Sequence, residues 1–255
     1  ITPSDNTSRI QHAVFDHDGT ISVLREGWEP VMEAMMVHAI LGDHHDTVAE
    51  TDYQRIAGYA HDFIDKSTGI QTIVQMQSLV EMVTELGYVP PDKILTAPEY
   101  KDIYNDALMA EVNLRKGRIQ AGELGVTEYT LKGAVDLLQA FYDRGIKLYL
   151  ASGTDVEDVK LEAEILGYAH LFEGRIYGAV GDIRKYSKKM VIDGIIRDND
   201  LHGAELITFG DGPVEIRETK KRGGLTVGVA SDEVRRFGLN PTKRTRLIRA
   251  GADII

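Results

Sequence analysis

Short apolar runs that end in a carboxylate, a hydroxyl or a glycine recur along this chain. Ala13-Val14-Phe15 runs into Asp16, Lys147-Leu148-Tyr149-Leu150-Ala151 into Ser152 and Gly153, and Glu205-Leu206-Ile207-Thr208-Phe209 into Gly210 and Asp211. Runs of this length bounded by turn residues read as buried strands, and Leu225 to Ala230 reads as another. Between and after them the apolar spacing turns helical, over Val135 to Tyr142, Val156 to Leu166 with Gly167 closing it, Met190 to Ile196, and Lys243 to Ala250. Asp253-Ile254-Ile255 reads as a last short strand. Strands alternating with helices after about residue 130 predict an α/β fold with a mostly parallel sheet.

The stretch from about Leu24 to Gly125 differs in kind. It has helical periodicity and almost no strand signal: Glu29 to Ile40 with Pro30 in the first turn and Gly42 past the end, Val48 to Lys66, Thr72 to Leu86, and Glu99 to Arg115. An all-helical unit inserted into an α/β core is the expectation, with no internal repeat or low-complexity tract.

Asp16-His17-Asp18-Gly19-Thr20 places two carboxylates two residues apart at the end of the first run. In open α/β sheets ligands bind at the carboxyl ends of the strands. Two close carboxylates raise each other's pKa unless a cation neutralises them, so the pair suggests a divalent metal or a shared proton. An Asp-rich turn after a strand gives the same pattern. The later motifs decide between the two readings. They are Ser152-Gly153-Thr154 before a helix, the basic cluster Lys185, Lys188 and Lys189, and Gly210-Asp211-Gly212 followed by Glu215.

This ordered set resembles the haloacid dehalogenase superfamily, over essentially the whole chain. The family's four motifs are strand-DxDxT, strand-Ser/Thr, a Lys, and strand-Gly-Asp followed by a second acid. The resemblance implies a Rossmann-like core over residues 1–23 and 126–255, with 24–125 as a helical cap in the position of the family's C1 caps. It implies Asp16 as the nucleophile that forms an aspartyl-phosphate and Asp18 as the acid and base. Members that cleave carbon–halogen bonds generally lack the second Asp and the metal, so Asp18 favours phosphoryl chemistry. Ser152 and Gly153, with the following helix start, are expected to bind the transferring phosphoryl oxygens. A helix cap by Ser152 or Thr154 is compatible with that role. A serine nucleophile is disfavoured, because the G-x-S-x-G elbow is absent.

Mg²⁺ is the implied cofactor, held by Asp16, the backbone carbonyl of Asp18, and Asp211. Glu215 stands where the family more often has Asp. It would act through a metal-bound water or on a neighbouring backbone, or simply face a helix N-terminus. Lys188 is chosen over Lys185 and Lys189 because Ser187-Lys188 opens a helix before the fourth motif, although the usual Lys-Pro form is absent.

Other groups carry less. Arg25 and Gln71 are candidate substrate contacts. Arg25 and Trp28 line an entrance or make a hinge contact, and Thr68-Gly69-Ile70-Gln71-Thr72 could aim a helix start at the site. Met32, Met35 and Met36 read as cap core rather than substrate wall, and His44-His45-Asp46 as an exposed polar turn.

With 255 residues the chain is long enough for a real core. It has no cysteine, which excludes disulfides and thiolate metal sites. No apolar stretch reaches the roughly 20 residues that span a bilayer. Ile1 to Ser8 read as polar and turn-like rather than as a signal peptide, and a start at Ile1 rather than Met suggests trimming. A cytoplasmic location is expected. A net charge of −11 argues against nucleic acid and anionic membranes as partners. The expected function is Mg²⁺-dependent hydrolysis of a small phosphorylated metabolite, such as a sugar or sugar-acid phosphate. A phosphomutase on the same scaffold and a non-catalytic, phosphate-responsive binding protein are the alternatives. Oligomeric state has no signature in the sequence.

Overall fold

The computed structural model describes residues 10–182 and 184–255. The expected turn over Ile1 to Ser8 lies outside them. Five parallel strands form one sheet: β1 His12–Phe15, β2 Lys147–Asp155, β3 Ile176–Ala179, β4 Leu206–Gly210 and β5 Leu225–Gly228. Their spatial order is β3-β2-β1-β4-β5, so β1 is central, paired with β2 on one side and β4 on the other. Successive β1 side chains serve opposite faces, as a period of two requires. Ala13 and Phe15 join one core with α5 Ala134–Tyr142 and α6 Val156–Ile165, through Leu138, Val159 and Ala163. Val14 joins the other, with Val191, Ile192 and Ile195 of α7 Lys188–Asp198. Burial on both faces explains why these strands read as continuous apolar runs. Phe15 stacks on Phe209 with centroids 4.6 Å apart, and Phe141 packs edge-on against both. α8 Pro213–Lys220 and α9 Pro241–Ala250 complete the core around Ile216 and Leu247.

Between β1 and β2 the chain leaves the sheet for α1 Trp28–Leu41, α2 Glu50–Ser67, α3 Thr72–Leu86 and α4 Ala97–Gln120. These four helices enclose a core of their own, with Met36, Ile40, Ile56, Leu79 and Val112 fully buried. The segments that enter and leave the insert pair with each other. Val23 N–H donates to Tyr129 O (2.9 Å), Leu131 N–H to Ile21 O (2.9 Å), and Ser22 bridges Thr130. Among the described residues no helix is long and apolar enough to cross a membrane.

The structure corrects the sequence reading at several points. β3 has no counterpart there, because Ile176-Tyr177-Gly178-Ala179 carries one exposed Tyr and a Gly, and so lacks a continuous apolar run. Asp253 to Ile255 form no strand. Ile254 makes a single bridge to Val227, held by Gly228 N–H donating to Ile254 O. β5 stops at Gly228, two residues short of the expected end. α4 runs five residues beyond Arg115 to Gln120, since Ile119 still packs on the sheet core.

Leu79 is fully buried in the insert's core. Leu79→Ala should lower stability by about 2–5 kcal/mol, read as a fall in the urea midpoint. An unchanged midpoint would mean that the insert's core does not limit unfolding.

Candidate active site

The site is built on the carboxyl edge of β1, β2 and β4. Asp16 leaves β1 with its backbone N–H donating to Phe209 O (2.9 Å), and the residue is 5% exposed. The chain reverses at Gly19, where φ is +69° and a Cβ would stand 2.4 Å from Asp211 Oδ2. Only a glycine fits both the left-handed backbone and that contact.

Lys188 is the first residue of α7, whose Ser187 cap accepts from Met190 N–H (3.1 Å). Its ammonium lies 2.7 Å from Asp16 Oδ2 and donates to Glu215 Oε2 (3.0 Å), with all three side chains buried. Lys185 and Lys189 are 73% and 61% exposed and pair with Asp182 and Asp193. Glu215 sits in the first turn of α8. Its Oε1 accepts from Gly212 N–H (2.9 Å), so it acts on the neighbouring backbone while its other oxygen holds Lys188.

Asp211 follows β4. Lys243 of α9 donates to its Oδ2 (2.7 Å) and also to Glu233, and Arg246 Nη2 donates to its backbone O (3.2 Å). Arg246 Nη1 turns the other way, donating to Asp65 Oδ1 (3.0 Å) and Thr68 Oγ1 (3.1 Å) on the α2 side of the insert. Neither basic residue was singled out from the sequence, where Lys243 to Ala250 reads only as a helix. The signal lay in the spacing: Lys243, Arg246, Leu247 and Ala250 share the buried stripe at i, i+3, i+4 and i+7.

Asp18 faces a second buried network. Its Oδ2 accepts from Thr154 Oγ1 (3.0 Å) and Ser152 Oγ (3.3 Å). Its Oδ1 stands 3.4 Å from His17 Nδ1 and 3.9 Å from Arg25 Nε. Burial pushes the Asp18 carboxyl up. His17, Arg25 and the Thr154 hydroxyl outweigh that and hold it below the usual carboxylate range. Asp18 is therefore ionised, the form that accepts a proton. His17 is wholly buried, paired through Nε2 with Tyr168 Oη (2.9 Å). Arg25 Nη2 donates to Glu162 Oε1 (2.7 Å) and Asp158 Oδ2 (3.2 Å), so α6 holds this guanidinium. Glu162 carries no motif and could not be singled out from the sequence.

A cavity of about 70 Å³ opens over Asp16, Asp18, Asp211, Ser152 and Lys188. Arg25, Trp28, Thr68, Gly69, Ile70 and Thr72 are on its wall, so the loop before α3 does reach the site. Met32 belongs to the insert's core and to the wall at once. Gln71 does not line the cavity. Its Nε2 donates to Tyr186 O (2.7 Å), a contact between insert and core. Gly153 lies against the same loop, where an added Cβ would come 2.4 Å from Ile70 O. His45 pairs with Asp46 in an exposed turn away from the site.

The donor set suits a hard divalent cation. Asp16, Asp211 and Glu215 each offer a carboxylate oxygen, all within 4.8 Å of one another, and all are buried. Burial, with Glu215 and Asp211 adding to it, pushes the Asp16 carboxyl well up against the pull of Lys188. A cation at such a cluster offsets that repulsion, and oxygen ligands are those Mg²⁺ takes.

The family model for haloacid dehalogenase-like hydrolases matches residues 10–220. No curated protein matches the chain. Solved structures share the fold at low identity. A protein described as a predicted phosphoglycolate phosphatase from Haemophilus somnus is 16% identical, with a TM-score of 0.60, over 97% of this chain and 93% of that one. A predicted phosphatase from Clostridium acetobutylicum is 17% identical, with a TM-score of 0.58, over 96% and 93%. A β-phosphoglucomutase from Clostridium difficile is 15% identical, with a TM-score of 0.57, over 92% of each chain.

Glu233 shares the Lys243 ammonium with Asp211, and burial pushes its carboxyl up to about 7 from an ordinary 4.5, with Asp211 adding to the rise against the pull of Lys243. The folded state then holds this proton more tightly than the unfolded chain. The stability it contributes is full below pH 4.5 and is lost as pH rises to about 7. In chelator, the urea midpoint of the wild type should fall across that window relative to Glu233→Gln. Parallel pH profiles would show that Glu233 ionises at its ordinary value.

Proposed function

Since the chain belongs to the haloacid dehalogenase-like hydrolases, we propose that it is a Mg²⁺-dependent phosphatase that hydrolyses a small phosphomonoester through an aspartyl-phosphate on Asp16. The observation that carries this reading is the buried Asp16 carboxylate, 2.7 Å from the Lys188 ammonium and grouped with Asp211 and Glu215 at the carboxyl edge of the sheet.

Asp16, Asp211 and the backbone carbonyl of Asp18 would hold the metal, with Glu215 beside them. Bound there, Mg²⁺ would offset negative charge on the carboxylates and on the phosphoryl oxygens. Lys188 and Ser152 orient those oxygens, Lys188 by its charge and Ser152 by its hydroxyl, with the Gly153 amide beside it. An Asp16 oxygen attacks phosphorus as the P–O bond to the leaving group breaks, and the leaving oxygen takes a proton from Asp18. Water then attacks the phosphoaspartate, Asp18 takes the proton of that water, and phosphate leaves with Asp16 restored. The ionised state of Asp18 in the substrate-free site suits this second step; for the first, Asp18 takes up a proton as the phosphate dianion binds beside it, since the added negative charge favours the neutral carboxyl. The helical segment within residues 24–125 acts as a cap that keeps bulk water from the intermediate, a role supported by Trp28, Met32 and Tyr104 on the cavity wall.

Asp16→Asn should lower phosphate release from acetyl phosphate by a factor on the order of 10⁴ or more and abolish phosphorylation of the intact protein by mass spectrometry. A stable adduct on another residue would overturn the assignment. Asp211→Asn should weaken Mg²⁺ binding measured by calorimetry. Unchanged binding would place the metal elsewhere. Formation of a sugar bisphosphate without free phosphate would identify a phosphomutase instead.

A further inference from the structure

From Trp28 to Leu108, no residue on the cavity wall carries a charge. Trp28, Met32, Ile70 and Leu108 present apolar surface, and Tyr104 and Gln75 present neutral polar groups. The cations that line the cavity are Arg25 and Lys188, and each is already held by at least two carboxylates. Arg25 is bound to Glu162 and Asp158, and Lys188 to Asp16 and Glu215. The carboxylates on the wall, Asp16, Asp18 and Asp211, all lie on the floor made by the strand ends. A second charge carried by a substrate into the space under the helices would therefore be desolvated without a partner, which is strongly unfavourable.

The polar groups there suit an uncharged oxygen instead. The Tyr104 hydroxyl makes no hydrogen bond among the described residues, while Gln75 commits its Nε2 to Ser67 Oγ (3.1 Å) and leaves its carbonyl oxygen without a protein donor. Size points the same way. The cavity is small, about 70 Å³, and the phosphoryl group occupies part of it.

We propose that the leaving group is small and uncharged, with hydroxyl or carbonyl oxygen as its polar function. Esters carrying a second carboxylate, phosphate or ammonium, and esters of six-carbon sugars, are then poor substrates. This selection rests on the phosphatase reading above, and it removes sugar acids from the candidates named by the sequence.

The test compares size-matched esters at saturating Mg²⁺: 2-phosphoglycolate, its neutral amide 2-phosphoglycolamide, and phosphoethanolamine, with a hexose 6-phosphate as the large member and acetyl phosphate as a reference for turnover. The amide should exceed both charged esters and the hexose ester in kcat/KM by about tenfold or more. A charged ester or the hexose ester matching the amide, with acetyl phosphate turned over, would overturn this inference alone. No phosphate from any of the compounds, acetyl phosphate included, would overturn the phosphatase reading itself. Thr72→Lys, at the half-buried start of α3 on the cavity wall, puts an ammonium where the leaving group lies. With the fold checked by its urea midpoint, it should raise 2-phosphoglycolate relative to the amide by about tenfold. An unchanged ratio would show that missing positive charge does not set the choice.

Discussion

The arrangement at the sheet edge depends on one buried ammonium. Lys188 lies between Asp16 and Glu215, each within 3.0 Å, in a region where Asp211 adds a third carboxylate. Acidic groups packed this closely and shielded from water repel one another, and removing the lysine would leave them uncompensated. The same logic repeats outward. Lys243 answers Asp211 and Glu233, and Arg25 answers Glu162, Asp158 and Asp18. Three cations from three elements, α7, α9 and the segment before α1, tie the strand-end loops into one network. The excess of negative charge that remains is what a divalent cation and a phosphoryl group would adjust between them.

Much of this was legible because strand-end chemistry is local. A strand buried on both faces announces itself as an apolar run, and the residue after it is fixed at the edge of the sheet. Asp16, Ser152 and Asp211 were singled out that way, and Lys188 by its place at the start of the helix before the fourth motif, where the family it resembles has its lysine. The structure brings these four to one cavity. Lys243, Arg246, His17 and Glu162 were not found, because their meaning depends on which element packs on which. A lysine in Lys-Arg-Thr-Arg is buried only because α9 lies against α8 and turns that face inward. His17 sits between two motif residues and still carried no signal, since its partner Tyr168 is 151 positions away. β3 was missed for a plainer reason: an edge strand with one exposed side chain has no apolar run to detect.

The helical insert meets the strand-end loops through polar contacts as well as apolar ones. Arg246 spans the seam, with Asp65 and Thr68 on one side and the Asp211 carbonyl on the other. Gln71 reaches the Tyr186 carbonyl, two residues before Lys188, and Lys101 of α4 binds Asp155 at the end of β2. Each contact ends on or beside a loop that carries a site residue. The position of the helices and the alignment of the catalytic floor are therefore linked variables. The paired segments at Ser22 and Thr130 give the insert a short neck on which such linkage can act.

Gly153 gives that seam its character. Its bare Cα lies against the Ile70 carbonyl with no room for one more carbon, so two backbones meet directly on the cavity wall. The joint works as a gasket. Its tightness is set by the thickness of the main chain and not by the fit of side chains, so it leaves little space for a file of water molecules to enter from that side. A methyl group at this position would act as a shim, lifting the loop that carries Thr68, Gly69 and Ile70 and opening the cavity wall to solvent on that side.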